Sequence, residues 1–475
     1  MSAQEKSVVV VGGGFTGALF GLKLHRAHPG WRIVIVEPKR KLGRGVAYGA
    51  CGPQHLLNVP VSRMEIGLTP GFAQWLESRR SDMAEALVES GLDLPSAYAP
   101  RRLFGDYMEE RIGEALAAKT RTGLTAVRGE AVRLLTQGHG VLLTDGREIK
   151  ADFVVLAMGN LPPRPPGGPD PWLYDTGYFV PDPWAADAFD DIDPDEPVLL
   201  IGAGLTMVDI ALRLAEEGHR GKMLAVSRRG LNPCTHRGGG AWAPFLHDKI
   251  PAPPLALAKL IRAEIAKAQE QNIPWQRVFD AARPAVASVW NNWDDKSRRQ
   301  FLRHLRVRWD IHRHRMAPRI GEELDSLLKS GRLEIVAGRL GGFREAGNQV
   351  EATLKLRGGG NRVFRAGQVV NCTGPGNDFD KIAIPLVADL RERKLAKSDP
   401  LGVGLETDDC AVLDASGRPS TWLFALGPLT RPAWWEITAV PEINIQIDRL
   451  VAQLSSDAPA PRLTTADFLG MGEGI

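Results

Sequence analysis

Two stretches of this chain, VVVVGGGFTG at residues 8–17 and VLLIGAGLTM at residues 198–207, repeat one pattern. In each stretch an apolar strand enters a glycine-rich turn, and an amphipathic helix follows the turn. Strands that are apolar throughout are typical of parallel sheets covered by helices on both faces. The duplication therefore predicts an α/β fold with two Rossmann-like units.

The first turn has the spacing of a dinucleotide-binding site, with Gly12, Gly14 and Gly17 in a GxGxxG pattern. Gly12 permits a sharp bend, and Gly14 lets the backbone approach a pyrophosphate closely. Gly17 permits tight packing of the helix on the strand. The following strand ends at Glu37, 25 residues after Gly12. An acid there accepts hydrogen bonds from a ribose diol and repels a 2′-phosphate. The first site is predicted to hold FAD or NAD.

The second turn differs from the first at equivalent positions. Gly202 and Gly204 repeat the bend, whereas Met207 replaces the third glycine and is expected to hold the helix slightly farther from the strand. The next strand ends at Ser227, 25 residues after Gly202, and two arginines follow it. A hydroxyl and two guanidinium groups suit a 2′-phosphate, although SRRG is alternatively a solvated basic turn. We therefore expect NADPH here and FAD at the first turn, as electron donor and acceptor.

Composition excludes several other classes of protein. The chain has 475 residues, a length at which more than one lobe is expected, and a net charge of only +3, which lacks the basic bias of nucleic-acid-binding proteins. It contains no apolar run of about 20 residues and no signal sequence. Its four cysteines show no metal-binding or redox spacing. We expect a cytoplasmic protein with small-molecule partners and without metal, nucleic-acid or membrane binding, and the oligomeric state, a homo-oligomer included, stays open.

The motifs together resemble flavoproteins with two dinucleotide-binding domains, a group that includes the flavin-containing and N-hydroxylating monooxygenases. More closely, the chain is similar to a bacterial FAD/NAD(P)-binding family. The likeness extends from residue 8 to about residue 455 and rests on GGGFTG, GRGVAYG (43–49), HLLNVPVSRM (55–64), DPW (182–184), VLLIGAGLTMVD (198–209), SRRG (227–230), CTGP (372–375) and WEITAVPEI (435–443). The resemblance implies FAD binding and redox chemistry.

The predicted cofactor-binding residues come from two sources. The glycine turns and their rims supply Gly12, Gly14, Gly17, Glu37, Gly202, Gly204, Ser227, Arg228 and Arg229. The resemblance adds Phe15, Thr16, Arg44, Val46, Leu57, Asn58, Val59, Met64, Gly159, Leu205, Thr206, Thr373, Gly374, Gly427, Pro428, Thr438 and Val440. Related proteins often carry Gly-Asp where this chain has Gly427-Pro428, so an aspartate contact to the ribityl chain of FAD is missing from the pattern.

Two apolar stretches that end in glycine, and a helix near the end of the chain, are also predicted to belong to the two dinucleotide-binding units. ADFVVLAMGN (151–160) and QVVNCTGP (368–375) are predicted to be strands at which the chain passes between lobes, or ordinary buried strands with a turn. The segment 421–454 predicts a strand and then a helix whose first turn contains Pro441. By resemblance, the start of this helix faces the pyrimidine end of the flavin.

The domain organisation follows from these motifs and from a proline-rich connection, LPPRPPGGPDPW, at residues 161–172. We expect a discontinuous FAD-binding domain at residues 1–160 and 366–475. The NADPH-binding domain is expected at residues 161–235 and 331–365, and a mostly helical insertion at residues 236–330.

The end of the insertion, residues 298–319, is predicted to be one amphipathic helix with a solvated basic face. In the alternative interpretation, Arg313 and Arg315 reach a substrate carboxylate or the phosphates of NADPH. The histidines of this segment lack a metal-ligand pattern.

Asn58 is the predicted catalytic residue, because it resembles the asparagine that flavin-containing monooxygenases place near the flavin. We expect its amide to donate a hydrogen bond to a flavin hydroperoxide or to position the nicotinamide, and the alternative is a turn residue. The chain is predicted to be an FAD- and NADPH-dependent oxidoreductase, a monooxygenase that uses molecular oxygen to hydroxylate a small nucleophilic substrate such as an amine. An NADPH-dependent flavin reductase or oxidase and a non-catalytic flavin redox sensor remain alternatives.

Overall fold

The computed structural model describes residues 5–52, 54–83, 87, 91–118, 123–167, 170–246 and 253–456. Predictions for the remaining residues, such as the chain end after residue 456, lie outside this part. Its strands are β1 Ser7–Val11, β2 Arg32–Glu37, β3 Leu124–Arg128, β4 Ala131–Leu134, β5 Gly140–Leu143, β6 Glu148–Lys150, β7 Phe153–Leu156, β8 Phe179–Val180, β9 Val198–Ile201, β10 Met223–Ser227, β11 Leu333–Ala346, β12 Gln349–Leu356, β13 Asn361–Ala366, β14 Gln368–Asn371, β15 Thr407–Asp408, β16 Ala411–Leu413 and β17 Pro419–Ala425.

The α-helices of the described residues connect these strands or form a separate layer. They are α1 Phe15–Ala27, α2 Gly45–Gly49, α3 Phe72–Glu77, α4 Arg101–Ala117, α5 Leu205–Glu216, α6 Pro254–Glu270, α7 Trp275–Ala282, α8 Val286–Asn292, α9 Asp295–Gln300, α10 Arg306–Arg313, α11 Pro318–Lys329, α12 Pro385–Glu392 and α13 Val440–Ser455. No helix in the described part of the chain is both long and apolar enough to cross a membrane.

The first sheet has the strand order of a Rossmann unit. Its parallel strands lie in the order β3-β2-β1-β7-β17, and β16 and β15 continue it in antiparallel orientation. Val8, Val9 and Val10 at its centre are fully buried, because α1 packs on one face of the sheet and the three-stranded antiparallel sheet β4-β5-β6 packs on the other. This order corresponds to 3-2-1-4-5 and brings the carboxyl ends of β1 and β7 together.

The second sheet repeats the order of the first four parallel strands, and its fifth strand, β8, precedes the others in the chain. Its parallel strands lie in the order β11-β10-β9-β14-β8, and β12 and β13 extend it in antiparallel orientation. Val198, Leu199 and Leu200 are fully buried at its centre. The predicted fold class, an α/β protein with two Rossmann-like units, is confirmed.

The structure differs from the expected return of the chain to the first unit at residue 366. β14, which follows that residue, lies in the second sheet, where Val369 and Val370 pair with Leu199 and Leu200 of β9. An apolar run that ends in glycine fits the centre of either sheet, and its partner strand is set by long-range pairing rather than by local pattern. The other domain boundaries stay predictions.

The helical insertion packs against the last part of the first unit. Trp290 of α8 stacks on Trp435 with ring centroids 4.2 Å apart, and its indole nitrogen donates to the carbonyl oxygen of Pro432 at 2.9 Å. Arg283 donates to both carboxylate oxygens of Glu442 in α13 at 2.7 Å. The insertion therefore contacts the segment that precedes and begins α13.

The prediction of one continuous helix over residues 298–319 is wrong. A single π-helical stretch, Phe301–Leu305, separates α9 from α10, and α10 ends at Arg313. Beyond it, the backbone of Met316 exchanges hydrogen bonds with Cys234 and His236 at 2.9 Å. The residue before a proline is disfavoured in the helical conformation, so the chain restarts a helix only at Pro318.

Candidate functional site

A cavity of about 320 Å³ lies at the carboxyl ends of β1, β2 and β7, where parallel α/β sheets bind ligands. The structure brings together here many of the residues predicted to bind a cofactor. They are Gly12, Gly14, Phe15, Thr16, Glu37, Arg44, Val46, Gly159, Pro428, Thr438 and Val440.

The turn at the base of this cavity requires glycine. Gly12 has φ +104°, and a Cβ atom there would lie 2.3 Å from the carbonyl oxygen of Ala157, which follows β7. Gly17 lies outside the cavity, and a Cβ atom on it would lie 1.9 Å from the carbonyl oxygen of Gly12, so it permits the helix to pack on the turn. No side chain caps the first turn of α1, whose amide groups are therefore available to an anion. This cradle fits the pyrophosphate of a dinucleotide.

Four charged residues line the first cavity, and two of them, Glu37 and Arg44, are predicted cofactor-binding residues. The Glu37 carboxylate accepts hydrogen bonds from the amides of Gly13 at 2.7 Å and Lys39 at 3.0 Å. A carboxylate has about four acceptor positions, so Glu37 can still accept hydrogen bonds from a ribose diol, and that contact stays a prediction. Arg44 is fixed by ion pairs to Asp106 and Glu109 of α4.

A larger cavity of about 910 Å³ lies between the two sheets and the helical insertion. The predicted residues along its wall are Leu57, Asn58, Val59, Met64, Gly202, Gly204, Leu205, Thr206, Ser227, Arg228, Thr373, Gly374, Thr438 and Val440. The two cavities adjoin, since both are lined by Ala47, Tyr48, Asn160, Thr438 and Val440. Molecules bound in the two cavities would therefore meet near the start of α13.

The second glycine turn repeats the close approach of the first. Gly202 has φ +127°, and a Cβ atom on it would lie 2.2 Å from the carbonyl oxygen of Cys372, which follows β14. A Cβ atom on Gly204 would meet nothing within 4 Å, and no side chain caps α5. Met207 is fully buried. The second turn thus presents free helix amides to the larger cavity.

The two arginines at the rim of the second turn point in different directions. Arg228 is exposed and lines the larger cavity. Arg229 lines neither cavity, because its guanidinium donates to the carbonyl oxygens of Arg303 at 3.0 Å and His304 at 3.1 Å. The Ser227 hydroxyl accepts a hydrogen bond from the amide of Gly230 at 3.0 Å. Arg228 is therefore the rim arginine that remains available to a phosphate.

Gly427, like Gly17 and Arg229, is a predicted residue that lines neither cavity. Its amide donates to the side-chain oxygen of Gln446 at 2.8 Å. Gly427 has φ +77°, a conformation that favours glycine, so its role in the structure is in the turn after β17.

Asn58 is held from both sides. Its side-chain oxygen accepts from Arg101 at 3.4 Å, and its backbone oxygen accepts from Nε2 of His236 at 2.8 Å. Because a guanidinium has donors only, the amide NH₂ of Asn58 must be the group that stays free of Arg101. Burial lowers the pKa of His236 to about 3, so its ring is neutral at neutral pH.

Arg101 and Asp209 form an ion pair between the two units that sequence reasoning missed. Both terminal nitrogens of Arg101 donate to the Asp209 carboxylate, at 2.7 and 3.1 Å, and its Nε donates to the carbonyl oxygen of Leu56 at 2.8 Å. His55 contacts the backbone oxygen of Asp209 at 3.2 Å. One feature of the sequence could have indicated this ion pair, because Asp209 is an acid on the otherwise apolar inner face of α5.

Arg313 and Arg315 do not supply free positive charge to the cavity they line. Arg313 lies 2.9 Å from Glu436 and 3.2 Å from Glu442. Arg315 pairs with Asp280 and donates to the carbonyl oxygen of Gln276 at 3.2 Å. Their predicted contact with substrate or NADPH has no support in this arrangement, because internal carboxylates already neutralise them.

The cysteines of the chain are poor candidates for redox chemistry. All four are free, and burial raises the pKa of each thiol. Thiolate reactivity requires a lowered pKa. Among the described residues, no group of three or more His, Cys, Asp or Glu side chains could hold a metal ion.

Two known proteins or families match this chain in sequence. Residues 9–161 match a family model described as FAD-NAD(P)-binding. An L-aspartate N-monooxygenase (nitrosuccinate-forming) from Streptomyces cremeus is 28% identical over 293 residues. That match covers 52% of this chain and 43% of the relative, so the chain spans less than half the length of this relative.

Solved structures show the same fold over almost the whole chain. L-lysine 6-monooxygenase from Pseudomonas syringae has a TM-score of 0.65 at 16% identity, covering 95% of this chain and 99% of that one. The ornithine N-hydroxylase of Kutzneria sp. 744 has a TM-score of 0.61 at 14% identity, covering 95% and 100%. Residues 9–161 are thus an FAD-NAD(P)-binding domain, and the chain has the fold of flavoproteins with two dinucleotide-binding domains, which confirms the predicted resemblance.

Proposed function

We propose that this chain is an FAD- and NADPH-dependent monooxygenase that hydroxylates the nitrogen of a small amine and takes the oxygen atom from O₂. The observation that carries the proposal is the junction of two nucleotide cradles. Each cradle has the same glycine turn, and their cavities share Thr438 and Val440 at the start of α13. An electron donor and an electron acceptor bound there would meet.

The rims of the cradles support the assignment of the two cofactors. The carboxylate of Glu37 at the first cavity would repel a 2′-phosphate, so FAD belongs there. Arg228 at the second cavity is exposed and would donate to the 2′-phosphate of NADPH. Bound FAD would supply the oxygen-activating chemistry, with NADPH as the source of two electrons.

Residues of the chain would orient the reactants at the junction. Asn58 offers an amide donor to the larger cavity, and Arg101 fixes the orientation of that amide from the opposite side. The uncapped start of α13, at Ala439 and Val440, faces the same space and would stabilise negative charge there. Both features serve a reaction in which a polar oxygen species must be held away from water.

The relatives support an amine as substrate. The named substrates of the relatives above are aspartate, lysine and ornithine, each of which carries an amino group. In the proposed reaction, one amine, one O₂, one NADPH and one proton give one hydroxylamine, one water and one NADP⁺. One oxygen atom enters the product and the other is reduced to water.

The test is the stoichiometry of turnover in the full-length, FAD-loaded protein. NADPH and O₂ consumption, hydroxylamine formation and H₂O₂ release should be measured with a panel of small amines. We expect one amine to give hydroxylamine in proportion to NADPH. NADPH oxidation that releases only H₂O₂ with every amine would indicate a reductase or oxidase instead, and no NADPH oxidation would indicate a sensor.

A variant at Asn58 tests its proposed role within this reaction. Loss of one positioned donor typically costs about 100-fold in rate, so Asn58→Ala should lower hydroxylamine formation strongly and raise H₂O₂ release. Asn291→Ala is the matched control, because its amide donates to the carbonyl oxygen of Ala433 at 3.0 Å outside both cavities. Equal product per NADPH in Asn58→Ala and wild type would remove the catalytic role.

A further inference from the structure

Arg431 is a buried cation that forms no ion pair with the residues that the structure describes. Its side chain is 9% exposed and lies on the wall of the larger cavity. The guanidinium carbon lies 4.3 Å above the ring of Trp435, and Nε has no hydrogen-bond partner. Within the described part of the chain, no carboxylate pairs with this guanidinium.

The other buried arginines of the cavity show how unusual this is. Arg101, Arg283, Arg313 and Arg315 each pair with at least one carboxylate. A buried charge without a partner is strongly unfavourable, because it has lost its hydration and gained no opposite charge, so proteins rarely keep one. In the described residues, eight arginines line this cavity, and Arg228 and Arg431 are the two that form no ion pair. Of these two only Arg431 is buried, which indicates that a bound molecule brings the negative charge it lacks.

Arg306 increases the positive charge beside Arg431. Its guanidinium carbon lies 5.9 Å from the centroid of the Trp435 ring, and its Nε is 3.3 Å from Asp310. Burial, and then the charge of Arg306, lower the pKa of Arg431 to about 10, which still leaves it protonated at neutral pH. The charges of Asp310 and Glu436 raise the pKa of Arg431 and so offset part of this effect. Neither carboxylate pairs with Arg431, because Asp310 lies 3.3 Å from Arg306, and Glu436 lies 2.9 Å from Arg313 and accepts from Trp309 at 2.8 Å.

We propose that Arg431 binds a carboxylate of the substrate, so that the amine hydroxylated by this protein also carries an acidic group. This inference rests on the proposed N-hydroxylation. Arg431 and the start of α13 line one cavity, so a small molecule held at Arg431 extends towards the junction of the two cofactor cavities. A planar guanidinium stacked on an aromatic ring is well suited to hold a carboxylate by two parallel hydrogen bonds. A diamine, which brings only positive charge, fits this site poorly.

The test compares amines with and without carboxylates in the FAD-loaded, full-length protein. We expect hydroxylamine from L-aspartate or L-glutamate and none from cadaverine. Arg431→Gln should raise the KM for the carboxylate-bearing amine by about 10- to 100-fold, since a charge-assisted hydrogen-bond pair is lost. Arg431→Lys should recover part of that loss, and the KM for NADPH should change by less than about twofold in both variants.

Arg298→Gln is the matched control for a buried arginine over a tryptophan. The guanidinium carbon of Arg298 lies 5.0 Å above the ring of Trp290, and Nε donates to the carbonyl oxygen of Trp290 at 3.1 Å. Arg298 does not line the larger cavity. We expect wild-type KM values in this variant.

Succinate binding, measured by calorimetry, separates failure of this inference from failure of the proposed function. If no amine is hydroxylated but succinate binds wild type and not Arg431→Gln, the carboxylate site stands and only N-hydroxylation is wrong. If cadaverine is hydroxylated and Arg431→Gln behaves as wild type, the carboxylate site is wrong and N-hydroxylation stands. A rise in the KM for NADPH alone, or the absence of both hydroxylation and succinate binding, also overturns the carboxylate site.

Discussion

The two glycine turns have nearly identical cores and different rims. A Cβ atom on Gly12 or Gly202 would lie 2.3 or 2.2 Å from the carbonyl oxygen that follows the neighbouring parallel strand. At the rims, Glu37 is tied to the backbone of the first turn, whereas Arg228 is exposed beside the second. In the proposed function, the turn creates a phosphate cradle and the rim selects which dinucleotide occupies it.

The helices after the two turns differ for another reason. Leu19 of α1 is fully buried among apolar side chains, whereas the equivalent residue of α5 is Asp209, which is buried against Arg101 of the first unit. The first helix completes the core of its own unit. The second helix also contacts the other unit, and its acid belongs to that contact.

Removing Arg101 is expected to have the largest effect. Arg101→Met leaves the buried Asp209 carboxylate without its partner, which should lower the free energy of unfolding by about 3–5 kcal/mol. The double variant Arg101→Met/Asp209→Leu gives α5 the leucine that α1 has at the equivalent position. It should recover most of the lost free energy of unfolding, because no unpaired carboxylate remains. Urea unfolding measures both effects. Arg147→Met, which breaks an exposed pair with Asp145, is the control and should change little. A single variant as stable as wild type would contradict the proposed role of the contact.

Substitutions at the equivalent glycines, Gly12 and Gly202, should each weaken the binding of a different cofactor. A Cβ atom at either position forces strain of about 1–3 kcal/mol, which corresponds to roughly a 10- to 100-fold loss of nucleotide affinity. Gly12→Ala should lose bound flavin, whereas Gly202→Ala should retain flavin and lose affinity for NADPH. Flavin absorbance per protein and the KM for NADPH measure the two effects. Colourless Gly202→Ala, or yellow Gly12→Ala with weakened NADPH binding, would reverse the assignment.

The two rim arginines should have unequal effects on the second cofactor. Arg228→Ala removes a charge-assisted contact to the 2′-phosphate and should lower kcat/KM for NADPH by about tenfold, with little change for NADH. Arg229→Ala should have a smaller effect, because Arg229 is bonded to the carbonyl oxygens of Arg303 and His304. Steady-state kinetics with both nucleotides decide this. Equal losses in the two variants would show that Arg229 turns towards the nucleotide when it binds.

Protonation of His236 should have the smallest effect. Its pKa in the folded protein is lowered by burial to about 3, against 6.5 for an exposed histidine. Below pH 6.5, His236 therefore binds a proton in the unfolded chain but stays neutral in the folded chain. The free energy of unfolding consequently decreases as the pH falls below 6.5. Between pH 7.5 and 6 the loss should be about 0.8 kcal/mol. Comparing the urea unfolding of wild type with that of His236→Asn isolates this proton, and identical pH dependence would contradict the burial of a neutral ring.

Much of the fold could be predicted because its signals are local. Apolar strands, glycine turns and the proline in the first turn of α13 each lie within a short stretch of sequence, and the structure places the elements there. The same is true of most residues around the two cavities, since they lie in motifs at strand ends.

The remaining features depend on contacts between distant residues. Arg101 and Asp209 are 108 positions apart, and no periodicity relates them. The directions of Arg229 and Arg313 are set by carbonyl and carboxylate groups of other elements, so their sequence neighbours gave no indication of them. The unpaired state of Arg431 likewise appears only when the positions of all nearby carboxylates are known.

In the proposed function, one cradle holds FAD and the other holds NADPH. The most direct measurement mixes the purified, FAD-loaded protein with NADPH or NADH without oxygen and follows the loss of flavin absorbance. We predict a yellow protein whose flavin is reduced at least about tenfold more efficiently by NADPH than by NADH, because Arg228 recognises the 2′-phosphate. A protein that binds no flavin, or one whose flavin is reduced equally well by both nucleotides, would contradict the claim.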